Sequence, residues 1–258
     1  MNFEKGKLIA VIKDAENDKK RSKKKDNKFL YVDDKANNSI DSYQCDYNET
    51  IQQLPDKETE RSILYITGPS GSGKSYYTRN YILEYKKMFP KNNIYVFSSL
   101  DSDETLDKIP KIKRIKFTDK FMMYEFRIID FKDSLVIFDD VDAQTSKLIK
   151  AKIYSILSMI LNTGRHVRCS VVYTSHLSCA GNETKLILSE CHSVTIFVKN
   201  MGNRSLKYLL DSYFGLDKHQ IDYVKKIESR WVTLVKTYPS VLISEKEAIV
   251  LNSITKEK

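Results

Sequence analysis

Short runs of apolar residues recur along the chain from residue 61 onward, with helical patterns between them. Five runs are rich in β-branched residues and are typical of buried parallel strands: 62–67, 93–99, 134–140, 169–175 and 193–199. A shorter run at 114–117 predicts one additional strand. Apolar residues at helical spacing predict helices over about 74–88 and 145–162. Because strands alternate with helices, the pattern predicts an α/β fold whose mostly parallel sheet carries helices on both faces.

The two ends of the chain do not follow this pattern. Residues 1–58 are polar and include the lysine-rich block "DKKRSKKKDNK" at 18–28, which predicts a basic, partly flexible segment. Residues 59–258 are predicted to form one domain. The end of this domain contains two short helical patterns, followed by "RWVTLVKTYPSVLISEKEAIVLN", which predicts a C-terminal β-hairpin that turns near Pro239.

The first predicted strand leads into "GPSGSGKS", which matches the phosphate-binding pattern G-x-x-x-x-G-K-[ST] in full. The glycines allow backbone N–H groups to face phosphate oxygens. Lys74 is predicted to contact the β- and γ-phosphates, and the Ser75 hydroxyl is predicted to bind Mg²⁺. The predicted nucleotide-binding set is the loop and the residue after it: Gly68, Pro69, Ser70, Gly71, Ser72, Gly73, Lys74, Ser75 and Tyr76.

The strand at 134–140 ends with two adjacent carboxylates, Asp139 and Asp140. A carboxylate at the end of a buried strand needs a partner such as a cation, so Asp139 is predicted to be a Mg²⁺ ligand. Asp140 is predicted to be the general base that polarises the attacking water. The alternative for Asp140 is a cap of the following helix. A guanine-specific N-K-x-D pattern is absent from the sequence, so ATP is the predicted nucleotide.

Two arginines, Arg165 and Arg168, lie between the second predicted helix and the strand at 169–175. An arginine at such a position can stabilise charge on a γ-phosphoryl group in its own subunit or in a neighbouring one. The alternative for either residue is an interaction with the dipole at the helix end. The residues alone leave both interpretations open.

The composition adds a charge argument. Lys and Arg total 43 against 34 Asp and Glu, a net charge of +9, which favours a polyanionic partner such as nucleic acid or an anionic membrane face. No run of about 18 apolar residues predicts a transmembrane helix. The four cysteines form no C-x-x-C pair, which indicates reduced thiols in an intracellular compartment, and the spacing of His176, Cys179, Cys191 and His192 is not that of a structural zinc site.

Three segments resemble the FtsK–HerA superfamily of DNA-pumping ATPases, especially the poxvirus-type genome-packaging ATPases of large double-stranded DNA viruses. They are "GPSGSGKSYYTRNYILEY", "SLVIFDDVDA" and "GRHVRCSVVYTSH", and with the tail the resemblance spans about 61–243. It implies a P-loop NTPase of the additional-strand, RecA/FtsK-like type. It also implies that Arg165 acts on a neighbouring subunit and that His176 is a polar sensor, with Ser175 as the alternative. His176 replaces the usual Gln of the family, and Asp140 replaces a common Glu.

The resemblance further implies Mg²⁺-dependent ATP hydrolysis by a homo-oligomeric ring, a hexamer, that moves double-stranded DNA into a capsid without sequence specificity. Viral capsid or portal components would be its partners, and the host cytoplasm (the viral factory) and the virion its locations. Two alternatives stay open: a related viral P-loop ATPase or helicase with another role in DNA handling or morphogenesis, and a nucleotide-dependent assembly module without turnover. The candidate DNA contacts are the lysines at 19–25 and a basic strand face with Lys111, Lys113 and Lys116.

Overall fold

The computed structural model describes residues 1–14, 27–33, 35, 38–179 and 182–254. It divides the chain into two compact units, one formed by residues 1–56 together with 192–258 and the other by residues 57–191. The candidate DNA contact at 19–25 lies outside the described residues. The predicted division at residue 58, into a basic segment and a single ATPase domain, stays a prediction.

The strands of the described residues are, in chain order, β1 (Lys7–Asp14), β2 (Lys28–Val32), β3 (Ser42–Gln44), β4 (Glu49–Gln53), β5 (Ile63–Thr67), β6 (Asn93–Ser98), β7 (Ile112–Ile115), β8 (Ser134–Asp139), β9 (Cys169–Ser175), β10 (Ser193–Ile196), β11 (Val232–Val235), β12 (Val241–Ser244) and β13 (Glu247–Val250). The α-helices are α1 (Lys74–Met88), α2 (Asp119–Met123), α3 (Lys147–Thr163), α4 (Asn182–Glu190), α5 (Asn203–Tyr208) and α6 (Lys218–Lys226).

The unit at 57–191 is built on a parallel sheet. Its strand order is β5-β9-β8-β6-β7, and every neighbouring pair in this order runs parallel. The predicted α/β fold with a mostly parallel sheet is therefore confirmed, and the short additional strand is β7. Strands β5, β8 and β9 are buried along their whole length, which explains why their sequences are continuously apolar rather than alternating.

The helices of this unit pack through apolar faces that include Tyr77, Tyr81, Ile82 and Tyr85 of α1 and Ile153, Ile156, Leu157 and Ile160 of α3. The C-terminal end of α3 is fixed by the buried Arg61, whose guanidinium donates to the carbonyl oxygens of Ile160 at 3.2 Å and Leu161 at 2.7 Å. These carbonyls belong to the last turn of the helix, where the Ile160 oxygen also accepts the backbone N–H of Gly164, so Arg61 supplements the hydrogen bonding of the helix end. No helix among the described residues is long and apolar enough to cross a membrane.

The unit formed by 1–56 and 192–258 is antiparallel. Strands β2, β1 and β4 form one sheet in that order, and β3, β13, β12, β11 and β10 pair antiparallel in that order. The predicted C-terminal hairpin is confirmed as β11 and β12, with Val235 opposite Val241, and β13 extends it. The fifth predicted strand forms β10, which pairs antiparallel with β11.

The N-terminal part of the chain contains strands that the sequence pattern did not indicate. In β1, the residues from Ile9 to Ile12 are buried, and the strand lies between β2 and β4. Strand β1 ends at residue 14 and its sheet partner β4 begins at residue 49, so the position of β4 depends on pairing rather than on local periodicity. The polar segment at 33–60, which is rich in Asn and Asp and is typical of loop or peripheral structure, contains β3 and β4.

Candidate functional site

The predicted nucleotide-site motifs meet at one edge of the parallel sheet. Thr67 of β5 is paired with Ser175 of β9, and Phe138 of β8 is paired with Tyr173 of β9. The segments that follow these three neighbouring strands therefore start side by side. Sites in such sheets lie at the C-terminal ends of the strands, which is where this chain places its phosphate-binding loop, its acidic pair and His176.

The loop between β5 and α1 has the backbone of a phosphate cradle. Gly71 and Gly73 have φ angles of 74° and 111°, values that favour glycine and that let successive N–H groups face one concavity. The Gly68 N–H donates to the Ser175 carbonyl at 3.2 Å, which fixes the start of the loop against β9. The buried Ser72 hydroxyl has no hydrogen-bond partner among the described residues, so it is free to donate to a phosphate oxygen.

Lys74 is held inside the site by several acceptors. Its side chain is 6% exposed, and burial lowers the pKa of the ammonium group while the nearby Asp140 opposes that shift. The ammonium donates to the carbonyl oxygens of Gly68 at 3.0 Å and Pro69 at 3.4 Å. It also lies 3.0 Å from His176 Nδ1 and 3.8 Å from Asp140 Oδ1. A phosphate group that binds Lys74 would replace some of these acceptors.

His176 links the lysine to the acidic pair. An ammonium group has only donors, so the contact with Lys74 requires Nδ1 of His176 to accept. The proton of a neutral imidazole then resides on Nε2, which lies 2.9 Å from Asp140 Oδ2 and donates to it. The imidazole is 35% exposed and is therefore accessible to a ligand. This position agrees with the predicted sensor role of His176, which stays a prediction.

Asp139 and Asp140 occupy different environments. Asp139 is 4% exposed, and burial, followed by the charge of Asp140, raises the pKa of its carboxyl to about 6. Its hydrogen-bond donors are the hydroxyls of Thr174 at 3.0 Å and Ser98 at 3.4 Å. Asp140 is half-buried, has a left-handed backbone with φ of 45°, and contacts Lys74 and His176.

The donor set fits Mg²⁺. A buried carboxylate that is held only by neutral hydroxyls carries an uncompensated charge, and a hard divalent cation with a preference for oxygen would compensate it. Asp139 would hold the ion together with the hydroxyl of Ser75, the first-turn residue of α1. No cluster of three or more His, Cys, Asp or Glu residues that could hold a metal occurs in the described part of the chain, so the candidate ligands at this site are one carboxylate and one hydroxyl.

Ser175, the alternative sensor, is directed elsewhere. It is fully buried, and its hydroxyl lies 2.6 Å from Asp142 Oδ2 and 2.8 Å from the Leu177 carbonyl oxygen, while the Leu177 N–H donates to it. The geometry therefore favours His176 over Ser175 as the group that meets a ligand. Asp142 is partly buried, and its carboxylate accepts from the Ser175 hydroxyl.

The two candidate arginines lie at the opposite edge of the sheet. Both fall in the turn before β9, and the seven residues of that strand separate them from His176 by about 20 Å at a rise of about 3.3 Å per residue. Arg168 is bound to Asp133 at 2.5 Å and to Glu60 at 3.0 Å. Arg165 is exposed, and its side chain has no hydrogen bond or ion pair among the described residues. Within one chain, neither arginine reaches the phosphate-binding loop.

Two further residues of the site were missed from the sequence. Ser98, at the end of β6, and Thr174, the second-last residue of β9, both donate to Asp139. Only their positions could have indicated a role in the site, because each is a small hydroxyl residue at the C-terminal end of a strand beside β8. Hydroxyl residues are common in strands, so this signal gains value only once the strand order is known.

Of the three candidate lysines, only Lys113 lies within β7, the edge strand of the parallel sheet, and Lys111 and Lys116 flank that strand. Lys111, Lys113 and Lys116 are all exposed, and β7 pairs only with β6 in the strand order. The Lys113 ammonium donates to Asn93 at 2.9 Å and lies 5.4 Å from the centre of the Tyr95 ring. These lysines are therefore available to a polyanion, and a role in DNA contact stays a prediction.

Comparisons with known proteins place the chain in context. No model of a known protein family matches the sequence. A protein of the Sputnik virophage, described as uncharacterized protein V3, is 43% identical over 194 residues, which cover 74% of this chain and 78% of V3. Among solved structures, the pCW3 conjugation coupling protein TcpA has a TM-score of 0.51 at 12% identity, over 87% of this chain and 73% of TcpA.

Two other solved structures are similar. The cytoplasmic domain of the Thermomonospora curvata type VII secretion ATPase EccC has a TM-score of 0.51 at 12% identity, over 80% of this chain and 28% of that chain. B204, the DNA-packaging ATPase of Sulfolobus turreted icosahedral virus, has a TM-score of 0.49 at 13% identity, over 71% of this chain and 97% of B204. The similarity to TcpA and EccC confirms the P-loop NTPase fold that the FtsK–HerA resemblance implied.

Proposed function

This chain belongs to the same family as protein V3 of the Sputnik virophage, and we propose that it is an ATP-hydrolysing motor that moves double-stranded viral DNA into a capsid. The observation that carries the proposal is the convergence of Lys74, Asp140 and His176 beside a complete phosphate-binding loop. A loop of this kind binds a nucleotide, and an adjacent carboxylate and imidazole add the groups that hydrolysis needs.

The chemical roles follow from the contacts. ATP phosphates lie in the loop, and Lys74 exchanges its contacts with Gly68 and Pro69 for phosphate oxygens. Asp140 accepts a proton from the water whose oxygen attacks the γ-phosphorus, and the bond to the bridging oxygen breaks with its electrons going to ADP. His176 keeps Asp140 oriented through Nε2–H and, once Lys74 has moved, offers Nδ1 as an acceptor to a water.

Mg²⁺, when bound at Asp139 and Ser75, would neutralise charge on the phosphates. The protein supplies a carboxylate that is already dehydrated, so binding of the ion relieves the electrostatic penalty of burying Asp139. Hydroxyls from two neighbouring strands keep that carboxylate in place. The site therefore favours an ion with a preference for hard oxygen ligands.

Arg165 supports an oligomeric motor. It is exposed at the sheet edge opposite to the site of its own chain, about 20 Å away along β9. Since it lacks a structural partner among the described residues, it is available to the nucleotide of an adjacent copy, as the resemblance implies. Arg168, by contrast, is engaged by Asp133 and Glu60 and has a structural role. In a homo-oligomeric ring, which we take to be a hexamer, Arg165 of each copy would complete the ATPase site of its neighbour.

Duplex DNA is the proposed substrate of the movement. The net charge of +9 and the exposed lysines in and beside β7 suit non-specific contact with phosphates. Capsid or portal components are the proposed partners, and the host cytoplasm and the virion are the proposed locations, in keeping with a relative from a virophage.

The test is ATP hydrolysis by the full chain with and without duplex DNA. Wild-type protein should hydrolyse ATP with Mg²⁺, duplex DNA should stimulate it, and Lys74→Ala and Asp140→Asn should each lower the rate by at least about 100-fold. Strand separation during turnover would point to a helicase instead. Nucleotide-dependent assembly without turnover, unaffected by Asp140→Asn, would point to an assembly module and contradict the proposal.

A further inference from the structure

Thr174 lies between the two candidate acidic residues and is completely buried. It is the second-last residue of β9, and the residue before it, Tyr173, pairs with Phe138 of β8. On its other side, Thr174 pairs with Ile66 of β5. Because strands on both sides fix its backbone, its hydroxyl has a defined position at the end of β8, where Asp139 lies.

The Thr174 hydroxyl faces both carboxylates at similar distances. Its Oγ1 lies 3.0 Å from Asp139 Oδ1 and 3.2 Å from Asp140 Oδ1, and it accepts the backbone N–H of Asp140 at 3.0 Å. A hydroxyl carries one proton, so it can donate to only one of the two carboxylates at a time. The similar distances mean that a small change at either acid decides which one receives the bond.

We propose that Thr174 is a positioning residue that couples the two acids by sharing its single hydroxyl proton between them. This inference rests on the proposed hydrolysis. When the Asp139 carboxylate binds a cation, it becomes the weaker hydrogen-bond acceptor. The Thr174 hydroxyl keeps its proton but then donates its hydrogen bond to Asp140 Oδ1. His176 already donates to Asp140 Oδ2. Both oxygens of the base are then fixed, and each retains a lone pair for a water.

The competing interpretation is purely structural. In it, the Thr174 hydroxyl serves only as the acceptor for the Asp140 backbone N–H, as a hydroxyl in a strand often does. Removal of the hydroxyl would then destabilise the fold by the same amount whether or not the acids are present. The two interpretations predict different results for two measurements. Only the sharing proposal predicts that loss of the hydroxyl slows turnover, and only this proposal predicts that the loss of stability depends on Asp139 and Asp140.

Turnover is the first test. Thr174→Val keeps the β-branched shape and removes the hydroxyl, and it should lower kcat by about 10- to 100-fold while KM for ATP changes by less than about 3-fold. Thr174→Ser should restore kcat to within about 3-fold of wild type. Thr78→Val is the matched control, since the Thr78 hydroxyl is buried without a partner among the described residues, and it should change neither parameter. A Ser variant as slow as the Val variant, or a Val variant with wild-type kcat, would overturn the proposal.

Unfolding by urea in nucleotide-free, metal-free solution is the second test, and it does not depend on turnover. Thr174→Val should lower the urea midpoint equally in the wild-type, Asp139→Ala and Asp140→Ala backgrounds. When one acid is removed, the Thr174 hydroxyl can still donate its hydrogen bond to the other. In the Asp139→Ala/Asp140→Ala background, the shift should become clearly smaller. A shift that falls when one acid alone is removed, or that persists in the double background, contradicts sharing. If wild-type protein proves inactive, the proposed function fails, and this measurement still decides the role of Thr174.

Discussion

Asp139 is a buried anion in the absence of a cation, and its replacement by a neutral residue of the same shape should stabilise the ligand-free protein. The perturbation is Asp139→Asn, which keeps an oxygen that accepts from the Thr174 hydroxyl. Burial raises the pKa of the Asp139 carboxyl from 3.8 to about 6. A shift of about two units corresponds to about 3 kcal/mol of unfolding free energy.

The sign of the pH dependence follows from linkage. The folded state binds the Asp139 proton more tightly than the unfolded state, so this group lowers stability as pH rises from about 4 to about 6 and contributes no further change above that range. Asp139→Asn removes this dependence. At pH 8, the variant should therefore be more stable than wild type by up to about 3 kcal/mol, and at pH 4 the difference should be within about 1 kcal/mol.

The assay is urea denaturation at pH 4 to 8 without nucleotide or divalent cations, with Asp101→Asn as the control because Asp101 is exposed. The control should change stability by less than about 0.5 kcal/mol at every pH. With ATP and Mg²⁺ added, the order should reverse, since only wild type gains from the ion. If Asp139→Asn is equally or less stable than wild type at pH 8 in metal-free solution, the reasoning about a strained, buried carboxylate is wrong.

Three further predictions follow from the contacts. Arg168→Ala should lower stability by about 1 kcal/mol, because two carboxylates hold its guanidinium, whereas Arg165→Ala should leave the urea midpoint unchanged; equal effects would refute the distinction. Glu49→Gln should destabilise the protein by about 2 kcal/mol at pH 7, and this difference should shrink as pH falls from 4.5 toward 2, because the Tyr43 hydroxyl lowers the pKa of Glu49 to about 2; a pH-independent difference would refute it. His176→Gln should retain hydrolysis within about 10-fold of wild type while His176→Ala loses more, and identical losses would refute a donor role.

The parallel sheet and the loop could be predicted because their signals are local. Strands buried on both faces are continuously apolar, and the phosphate-binding loop needs glycine at Gly71 and Gly73, where the backbone has positive φ. Strand β1 gave no comparable signal, because its eight residues mix four buried apolar positions with charged ends. Its assignment depends on pairing with β2 and β4, which lie beyond any local window.

The order of residues along the chain already implies the sheet edge at which Arg165 lies. A residue that immediately precedes a parallel strand lies at the sheet edge opposite to the residues that follow that strand. Arg165 and His176 flank β9, so they cannot meet within one chain. The spacing of the motif alone does not exclude a role of Arg165 in its own subunit, because spacing does not include the direction of β9.

The contacts around the acidic pair could not be derived from sequence. Adjacent strand residues point to opposite faces, so either Thr174 or Ser175 could have faced Asp139. The pleat of β9 decides this, and it depends on the registers with β5 and β8. Likewise, the bond between Lys74 and His176 joins residues 102 positions apart and exists only because the loop folds back over the end of β9.

A mixing experiment tests the central claim, that adjacent copies complete one another's ATPase site, most directly. Arg165→Ala and Asp140→Asn proteins are assayed with duplex DNA and ATP, first separately and then as a mixture of the two variants. Mixtures of each variant with Lys74→Ala are assayed under the same conditions. The account predicts that each variant alone binds ATP but hydrolyses it at least about 100-fold more slowly than wild type. Their mixture should regain activity, because Arg165 of the Asp140→Asn copy serves the intact acid of its neighbour. Wild-type hydrolysis by Arg165→Ala alone, or a mixture no faster than its components, would contradict the account.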